Sequence, residues 1–134
     1  MRFLAWHVEY FKASPIERGR SKIVESAEQV GTGEALLVFA SFEKSDEQRS
    51  DIIEASASSI SEIAKGIGVH DIIINPFAHL FGELSGPEFA QSATDKLAER
   101  LSQGYAVKKL AFGWFYEIEL KAKGHKFARQ SRIV

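Results

Sequence analysis

The stretch Ile72-Ile73-Ile74-Asn75-Pro76-Phe77-Ala78-His79-Leu80-Phe81 decides the fold of this chain. Three consecutive isoleucines predict a core strand, because β-branched side chains favour strands and a continuous apolar run needs cover on both faces. Pro76 ends that strand, since proline has no N–H for a sheet ladder and restricts the residue before it. The turn that follows delivers His79. Turns after core strands often carry binding or catalytic residues, so residues 76–79 are the first candidate site.

Further strands are predicted on both sides of this stretch. Residues 2–13 are rich in aromatic and β-forming types and predict an opening strand, with a turn or an irregular crossing at Ser14-Pro15. Residues 35–40 are apolar throughout and predict a second interior strand. Residues 105–110 and 114–120 predict a final pair, the second with alternating faces. Residues 18–29 are polar and predict a loop with some helix, and a basic tail follows Gly124-His125.

Two helices are predicted between these strands. The first runs from about Ile52 to Gly66 or Gly68, and the second ends at Gly104, each with an apolar stripe at helical spacing. Each begins with a capping box, in which a serine and a side chain three residues later satisfy backbone amides: Ser45 with Gln48, and Ser85 with Glu88. Together the elements predict an α/β fold with a mixed sheet and both helices on one side.

Composition limits the protein class. At 134 residues and 45% hydrophobic content, the chain predicts one domain spanning residues 1–134. The absence of cysteine excludes disulfides, thiolate metal sites and cysteine nucleophiles. No apolar run approaches the ~20 residues of a membrane span, and the first seven residues are too short and polar for a secretory signal. We therefore expect a soluble, cytoplasmic protein without membrane attachment.

Charge is unevenly distributed although the net charge is only -1. From Lys108 onward, basic residues predominate over Glu117 and Glu119, so this end could face phosphate or could be a solvated surface with a frayed tail. No His-x-x-x-His or Glu-x-x-His spacing predicts a metal site. The Gly31-Thr32-Gly33 segment precedes a strand rather than following one, which argues against a dinucleotide site. We expect neither metal nor organic cofactor.

Loops at strand ends are the remaining candidates for chemistry. They are Phe42-Glu43, residues 76–79, Phe112-Gly113-Trp114 and Gly124-His125. Glycine and proline let a ligand approach the backbone closely, and aromatic side chains can stack on a base or sugar. His79 could be a base, an orienting hydrogen-bond donor or a packed residue. His7 lies inside the opening strand, where a packed and hydrogen-bonded histidine is the more common case.

Several of these motifs, in their order and spacing, resemble the N-terminal editing domain of archaeal threonyl-tRNA synthetases. They are Asn75-Pro76-Phe77-Ala78-His79-Leu80, Phe112-Gly113-Trp114, Lys123-Gly124-His125 and Ser131-Arg132. His7 and Phe42-Glu43-Lys44 fit the same pattern, so the resemblance covers essentially the whole chain. It implies a D-aminoacyl-tRNA deacylase-like fold, a homodimer, and hydrolysis of serine wrongly attached to threonine tRNA.

The resemblance also implies where the substrate lies. Residues 76–79 would border the pocket with their backbone against the aminoacyl-adenosine, and Phe112-Gly113-Trp114 with Phe115 would form another wall. Phe42 and Glu43 would lie near the adenine, and His7 would also belong to the substrate-binding set. The catalytic candidates are His79 and Tyr116. The expected contacts with tRNA phosphates are Lys121, Lys123 and Arg129.

Two departures from the family pattern bear on mechanism. Many members have Tyr-Lys where this chain has Phe115-Tyr116, and many have a glutamate before Leu-Ser-Arg where this chain has Arg129 before Gln130-Ser131-Arg132. A mechanism that uses backbone groups, ordered water and the 2′-hydroxyl of the tRNA is therefore favoured over one that needs that lysine or glutamate. In that reading His79 orients or recognises the substrate, and Tyr116 either binds it or is a core aromatic.

Three functions follow from these observations as alternatives. The first is an editing hydrolase that acts on the acceptor end of threonine tRNA, with the rest of the synthetase in cis or in trans. The second is a D-aminoacyl-tRNA deacylase, which would reject L-serine. The third is a non-catalytic module for tRNA binding or dimerisation.

Overall fold

The computed structural model describes residues 1–78, 80 and 82–134. A seven-stranded mixed sheet carries two α-helices and one short 3-10 turn, which confirms the predicted α/β class. The strands are β1 (Arg2–Arg18), β2 (Val30–Thr32), β3 (Ala35–Ser41), β4 (Asp71–Pro76), β5 (Ala106–Lys109), β6 (Trp114–Ala122) and β7 (Arg129–Ile133). The helices are α1 (Ile52–Ile67) and α2 (Pro87–Leu101), and the 3-10 turn spans Lys44–Gln48. In the described residues, neither helix is long and apolar enough to cross a membrane.

Strand β1 pairs with four other strands, all antiparallel to it. Val8 pairs with Ala35 of β3 and with Ala122 of β6, so these strands lie on opposite edges of β1. Of the two alternatives at Ser14-Pro15, the turn is wrong, because β1 continues to Arg18 with Pro15 opposite Tyr116. An irregularity is present instead, since the register with β6 shifts between Pro15 and Glu17. Beyond Ala13 only β6 pairs with β1, and a proline is tolerated where one edge of a strand is unpaired.

Strands β3, β4 and β5 run parallel to one another, and α1 and α2 connect them. Ile72 and Ile74 pack under the helices with Ile60 and Leu97, while Ile73 faces the opposite side of the sheet. All three isoleucines are fully buried, which confirms that the run needs cover on both faces. Burying each such side chain stabilises the fold by about 1.5–3 kcal/mol.

The start of α1 differs from the predicted capping box. Ser45 and Gln48 lie within the 3-10 turn, and the capping box there joins Glu43 and Asp46. Asp46 is buried because its carboxylate also accepts a hydrogen bond from the Met1 ammonium at 2.7 Å. Helix α1 itself begins after Asp51. Its predicted end is confirmed at Gly68, which has a φ of 75°.

The limits of α2 and of the C-terminal segment also differ from prediction. The cap of α2 is Gly86 rather than Ser85, with Pro87 at the first turn, and the helix ends at Leu101, before Gly104. Residues 19–29 form no helix. The basic tail is not frayed, because β7 pairs with residues 2–6 of β1. Its side chains are mostly exposed, so no alternating apolar pattern marked it as a strand.

Candidate functional site

Three of the predicted loops leave the same edge of the sheet, which we call the loop edge. Strands β3, β4 and β5 are parallel, and they end there at Ser41, Pro76 and Lys109. The Phe77 amide donates to the Ala40 carbonyl at 2.9 Å, which keeps β3 and β4 together to their last residues. Open α/β sheets bind ligands at the carboxyl ends of their parallel strands. The loop edge is therefore the candidate site.

The segment Phe42-Glu43 joins this edge, but its two side chains differ in access. Phe42 is buried and packs edge-on against Phe89 at a centroid distance of 6.0 Å. Its carbonyl accepts a hydrogen bond from the Ser85 amide at 3.2 Å. The Glu43 carboxylate pairs with Arg2 at 2.7 Å and is partly exposed. A ligand at this segment would therefore meet Glu43 rather than the Phe42 ring.

The 76–78 turn offers one backbone donor among its described residues. Pro76 has no N–H, and the Phe77 N–H already donates to Ala40. Ala78 is exposed, and its amide is the remaining candidate donor among the described residues of this turn. The Phe77 ring is 42% exposed and lies edge-on to Phe39 at 5.7 Å, so an aromatic surface borders this amide. His79 lies outside the described residues, and its predicted role stays a prediction.

The Phe112-Gly113-Trp114 segment, the 112–114 turn, is held by the 19–29 loop. The Gly113 carbonyl accepts from the Gly19 amide at 2.8 Å, and the Phe112 amide donates to the Glu25 carboxylate at 2.7 Å. Gly113 has a φ of 86°, and a Cβ there would lie 2.4 Å from the Ile23 carbonyl oxygen. Its backbone is thus engaged internally, so the turn presents shape rather than hydrogen bonds. Phe115 beside it is 63% exposed.

Tyr116 lies close to this turn. Its hydroxyl oxygen accepts a hydrogen bond from the Ala111 amide at 3.0 Å. A phenol that accepts one hydrogen bond still has its own proton to donate. Tyr116 and Ala111 line a cleft of about 350 Å³ together with Glu25 and Lys109. The second catalytic candidate therefore has a donor group beside open space at the loop edge.

A cluster of charged and amide groups lies under the 112–114 turn. It consists of Glu25, Gln91, Asp95 and Lys109, and we call it the Glu25 cluster. The Lys109 ammonium contacts both Glu25 oxygens at 2.8 Å and also binds Asp95. Burial acts to raise the pKa of Glu25, but hydrogen bonds from Gln91, Lys109 and Phe112 outweigh it and lower that pKa. Burial acts to lower the pKa of Lys109, but the carboxylates of Asp95 and Glu25 outweigh it. The pKa of Lys109 is therefore raised.

His7 is not brought to the loop edge. It pairs with Leu36, five residues along β3 from Ser41, which corresponds to about 16 Å. The side chain is 5% exposed, with Nε2 2.9 Å from Glu34 and Nδ1 2.8 Å from Nε2 of His125. His7, Glu34, Lys123 and His125 form a second cluster, the His7 cluster. Its geometry confirms a packed, hydrogen-bonded histidine.

The three predicted phosphate contacts lie on or after β6 and on β7. Lys121 pairs with Glu9 at 2.8 Å, and Lys123 pairs with Glu34. The Arg129 guanidinium instead lies over the Trp6 ring at 5.8 Å from its centroid. The charge of the two lysines is therefore partly offset by carboxylates. Across residues 1–78, 80 and 82–134, no group of three histidine or acidic side chains is placed to hold a metal ion.

Sequence reasoning missed the Glu25 cluster. Glu25 stands in a polar loop without periodicity, and Lys109 was counted only among basic residues. The two are 84 positions apart, so no local pattern connects them. Only the antiparallel return of β6 along β1 brings the loop and the turn together.

Comparisons with known proteins cover the whole chain. The family model for the archaea-specific editing domain of threonyl-tRNA synthetase matches residues 1–134. Proteins named threonine–tRNA ligase are similar to it: that of Thermococcus kodakarensis is 34% identical over 139 residues, that of Methanosphaera stadtmanae 34% over 140, and that of Thermofilum pendens 30% over 141. Each alignment covers 100% of this chain and 22% of the relative. The chain thus spans about a fifth of the length of these relatives.

Proposed function

Because the chain belongs to the family of archaea-specific editing domains of threonyl-tRNA synthetase, we propose that it hydrolyses L-seryl-tRNA made on threonine tRNA and spares L-threonyl-tRNA. The observation that carries the proposal is the meeting of the predicted loops at one edge of the sheet. The Tyr116 hydroxyl and Ala111 line a cleft at this edge, and the exposed residues Phe77 and Ala78 follow the last residue of β4.

The need for such an activity follows from the size of one methyl group. Serine is threonine without that methyl, and a binding pocket gains only ~1–3 kcal/mol from such a group. A second site that admits serine and sterically rejects threonine supplies the missing discrimination. Phe77 and the 112–114 turn are rigidly held apolar surfaces that suit such a steric test.

The proposed reaction is attack of water on the ester carbonyl. The bond between that carbon and the ribose oxygen breaks, the ribose oxygen takes up a proton, and free serine and tRNA are released. The Ala78 amide would donate to the developing oxyanion, as preorganised donors do in acyl transfer. Tyr116 would donate its remaining proton to the substrate, and the 2′-hydroxyl of the terminal adenosine would position the water. His79 would orient or recognise the ester.

Partners follow from the same proposal. The acceptor end of threonine tRNA would approach the loop edge, with Glu43 near the adenine and with Lys121, Lys123 and Arg129 toward phosphates. His7, which lies about 16 Å from the loop edge, would then support Lys123 through Glu34 rather than touch the ester. The rest of the synthetase would act in cis or in trans. The expected homodimer is checked by the molar mass in solution.

The test is incubation of the protein with L-seryl-, L-threonyl- and D-aminoacyl-tRNA. Loss of the L-seryl ester alone supports the proposal. Loss of the D-aminoacyl ester alone identifies a D-aminoacyl-tRNA deacylase, and no loss of any ester identifies a binding or dimerisation module. A 3′-seryl substrate that ends in 2′-deoxyadenosine tests the mechanism. Its hydrolysis at the normal rate would exclude the role of the RNA hydroxyl.

A further inference from the structure

We propose that Glu25 is the positioning residue of this site, because it holds the 112–114 turn as a fixed wall at the loop edge. No sequence motif points to this residue. The inference rests on the proposed function for its effect on hydrolysis, but its structural core can be tested separately. Glu25 binds other residues of the same chain rather than the substrate. By holding the turn, it would place the seryl ester.

Glu25 binds the turn through both its backbone and its side chain. The Glu25 amide donates to the Phe112 carbonyl at 3.1 Å, and the Phe112 amide donates to the Glu25 carboxylate at 2.7 Å. The Trp114 indole N–H donates to the Glu25 carbonyl at 2.8 Å. One residue thus fixes both ends of the turn. These bonds also hold Gly113 in its left-handed conformation against the 19–29 loop.

The Glu25 carboxylate is itself oriented by rigid elements. Lys109 at the end of β5 contacts both of its oxygens, and Gln91 of α2 donates to it at 2.9 Å. Asp95 of α2 binds the same lysine and the same amide, at 2.8 Å from Gln91. Sites are placed most precisely when their supporting side chains are themselves locked by hydrogen bonds to helices and strands. Glu25 therefore transfers the rigidity of β5 and α2 to a turn that lacks regular structure.

Replacing Glu25 with glutamine would keep the size of the side chain but remove one of its two hydrogen-bond acceptors. With its oxygen in the place of Oε2, the amide would still accept from Phe112 and Lys109, but its NH₂ group would replace Oε1 and face the donors of Lys109 and Gln91. The side chain would then lose its anchor on α2 and half of its contact with Lys109, which frees the turn to shift. A displacement of ~1 Å in a positioning group can reduce the rate of an enzymatic reaction by on the order of 100-fold.

The experiment measures hydrolysis of L-seryl-tRNA by Glu25→Gln, with Glu99→Gln as the matched control. Glu99 is an exposed residue of α2 outside the site. For Glu25→Gln we expect kcat to fall by about 10- to 100-fold with KM within about twofold, because the turn places the ester while most tRNA contacts lie elsewhere. The control should match the original protein in both constants.

A spectroscopic measurement reports the turn directly. The chain has two tryptophans, so Trp6→Phe assigns the two indole N–H signals in a ¹H–¹⁵N spectrum. In Glu25→Gln the Trp114 indole signal should shift and its hydrogen exchange should accelerate, while the Trp6 signal stays in place. A purely structural role would lower thermal stability without this selective change.

Two results would overturn the inference: kcat within twofold of the original value in folded Glu25→Gln, or an unchanged Trp114 indole signal. If Glu25→Gln does not fold, Glu25→Asp replaces it, because aspartate keeps the charge but is too short to reach Lys109 and Phe112 together. An unchanged kcat and indole signal in that variant would likewise overturn the inference. If the original protein hydrolyses no ester, the proposed function fails, and the indole signal still decides whether Glu25 holds the turn.

Discussion

The Glu25 cluster and the His7 cluster are built alike but serve different ends of the sheet. Each joins a loop to regular strands through partly buried polar groups that bind one another. The Glu25 cluster reaches the backbone of a turn at the loop edge, whereas the His7 cluster lies about 16 Å away and joins β1 to the segment between β6 and β7. Similar hydrogen-bonded clusters therefore occur both at the loop edge and far from it, and what differs is that Glu25 binds the backbone of a candidate turn.

The largest expected effect comes from changing the turn that the Glu25 cluster supports. Gly113→Ala should abolish measurable hydrolysis and lower stability by about 1–3 kcal/mol, because its Cβ would clash with the Ile23 carbonyl in a left-handed conformation. Thermal unfolding and seryl-tRNA hydrolysis measure the two effects. Gly33→Ala is the control, since nothing lies within 4 Å of its added Cβ and Gly33 lies outside the candidate loops. Equal effects from both variants would contradict the comparison.

A smaller effect is expected from Tyr116→Phe. This change removes the acceptor for the Ala111 amide and the proton offered to the substrate, so kcat should fall by roughly 10-fold and stability by about 1–3 kcal/mol. Hydrolysis kinetics and urea unfolding separate the two contributions. If Tyr116 is only a core aromatic, stability falls and kcat per folded molecule does not. In that case the hydrogen bonds to the substrate would come from the 76–78 turn and not from Tyr116.

The smallest effect is expected from replacing one carboxylate of each cluster, Glu25 or Glu34, with glutamine. The pKa of Glu34 is lowered by its hydrogen bonds with Lys123 and His7, and the pKa of Glu25 is also lowered. Each carboxylate therefore stabilises the fold above its ordinary pKa of 4.5 and loses that contribution as pH falls through the lowered value. Near neutral pH, Glu25→Gln should lower the unfolding temperature more than Glu34→Gln, because Glu34 is the more exposed.

Thermal unfolding from about pH 3 to pH 8 checks this difference. The gap between each variant and the original protein should narrow as the pH falls below the ordinary carboxyl pKa. A gap that widens toward low pH would reverse the sign of the argument. If both variants lower the unfolding temperature equally near neutral pH, the Glu25 cluster does not stabilise the fold more than the His7 cluster does.

Much of the fold could be predicted because its signals are local. The isoleucine run, the apolar stripe of α1 and the glycine at its end each fix an element through side-chain burial or backbone conformation. The passage of β1 through Pro15 and the pairing of β7 could not be predicted, since both depend on which distant strand occupies each edge. The predicted caps of α1 and α2 are wrong because neither helix has a side-chain hydrogen bond at its cap, so serine positions do not mark where the helices begin.

The candidate site divides in the same way. Proline, glycine and aromatic residues marked the 76–78 and 112–114 turns, since turn chemistry is written locally. That the amides of Phe77 and Phe112 are already engaged was not predictable, because their acceptors, Ala40 and Glu25, lie far away in the sequence. The amides of Phe77 and Phe112 are therefore not free to bind a ligand in this structure.

The pairing of β1 with β7 also has a consequence for the order of events on the ribosome. Residues 2–6 of β1 are synthesised well before residues 129–133, which pair with one of their edges. Until that segment emerges, the nascent chain exposes an open strand edge, which is a template for pairing with other chains. Closure across nearly the full length of the domain also slows folding, since distant contacts repay the lost chain entropy late. We therefore expect the pairing of β7 with β1, which completes the sheet, to be one of the last steps of folding.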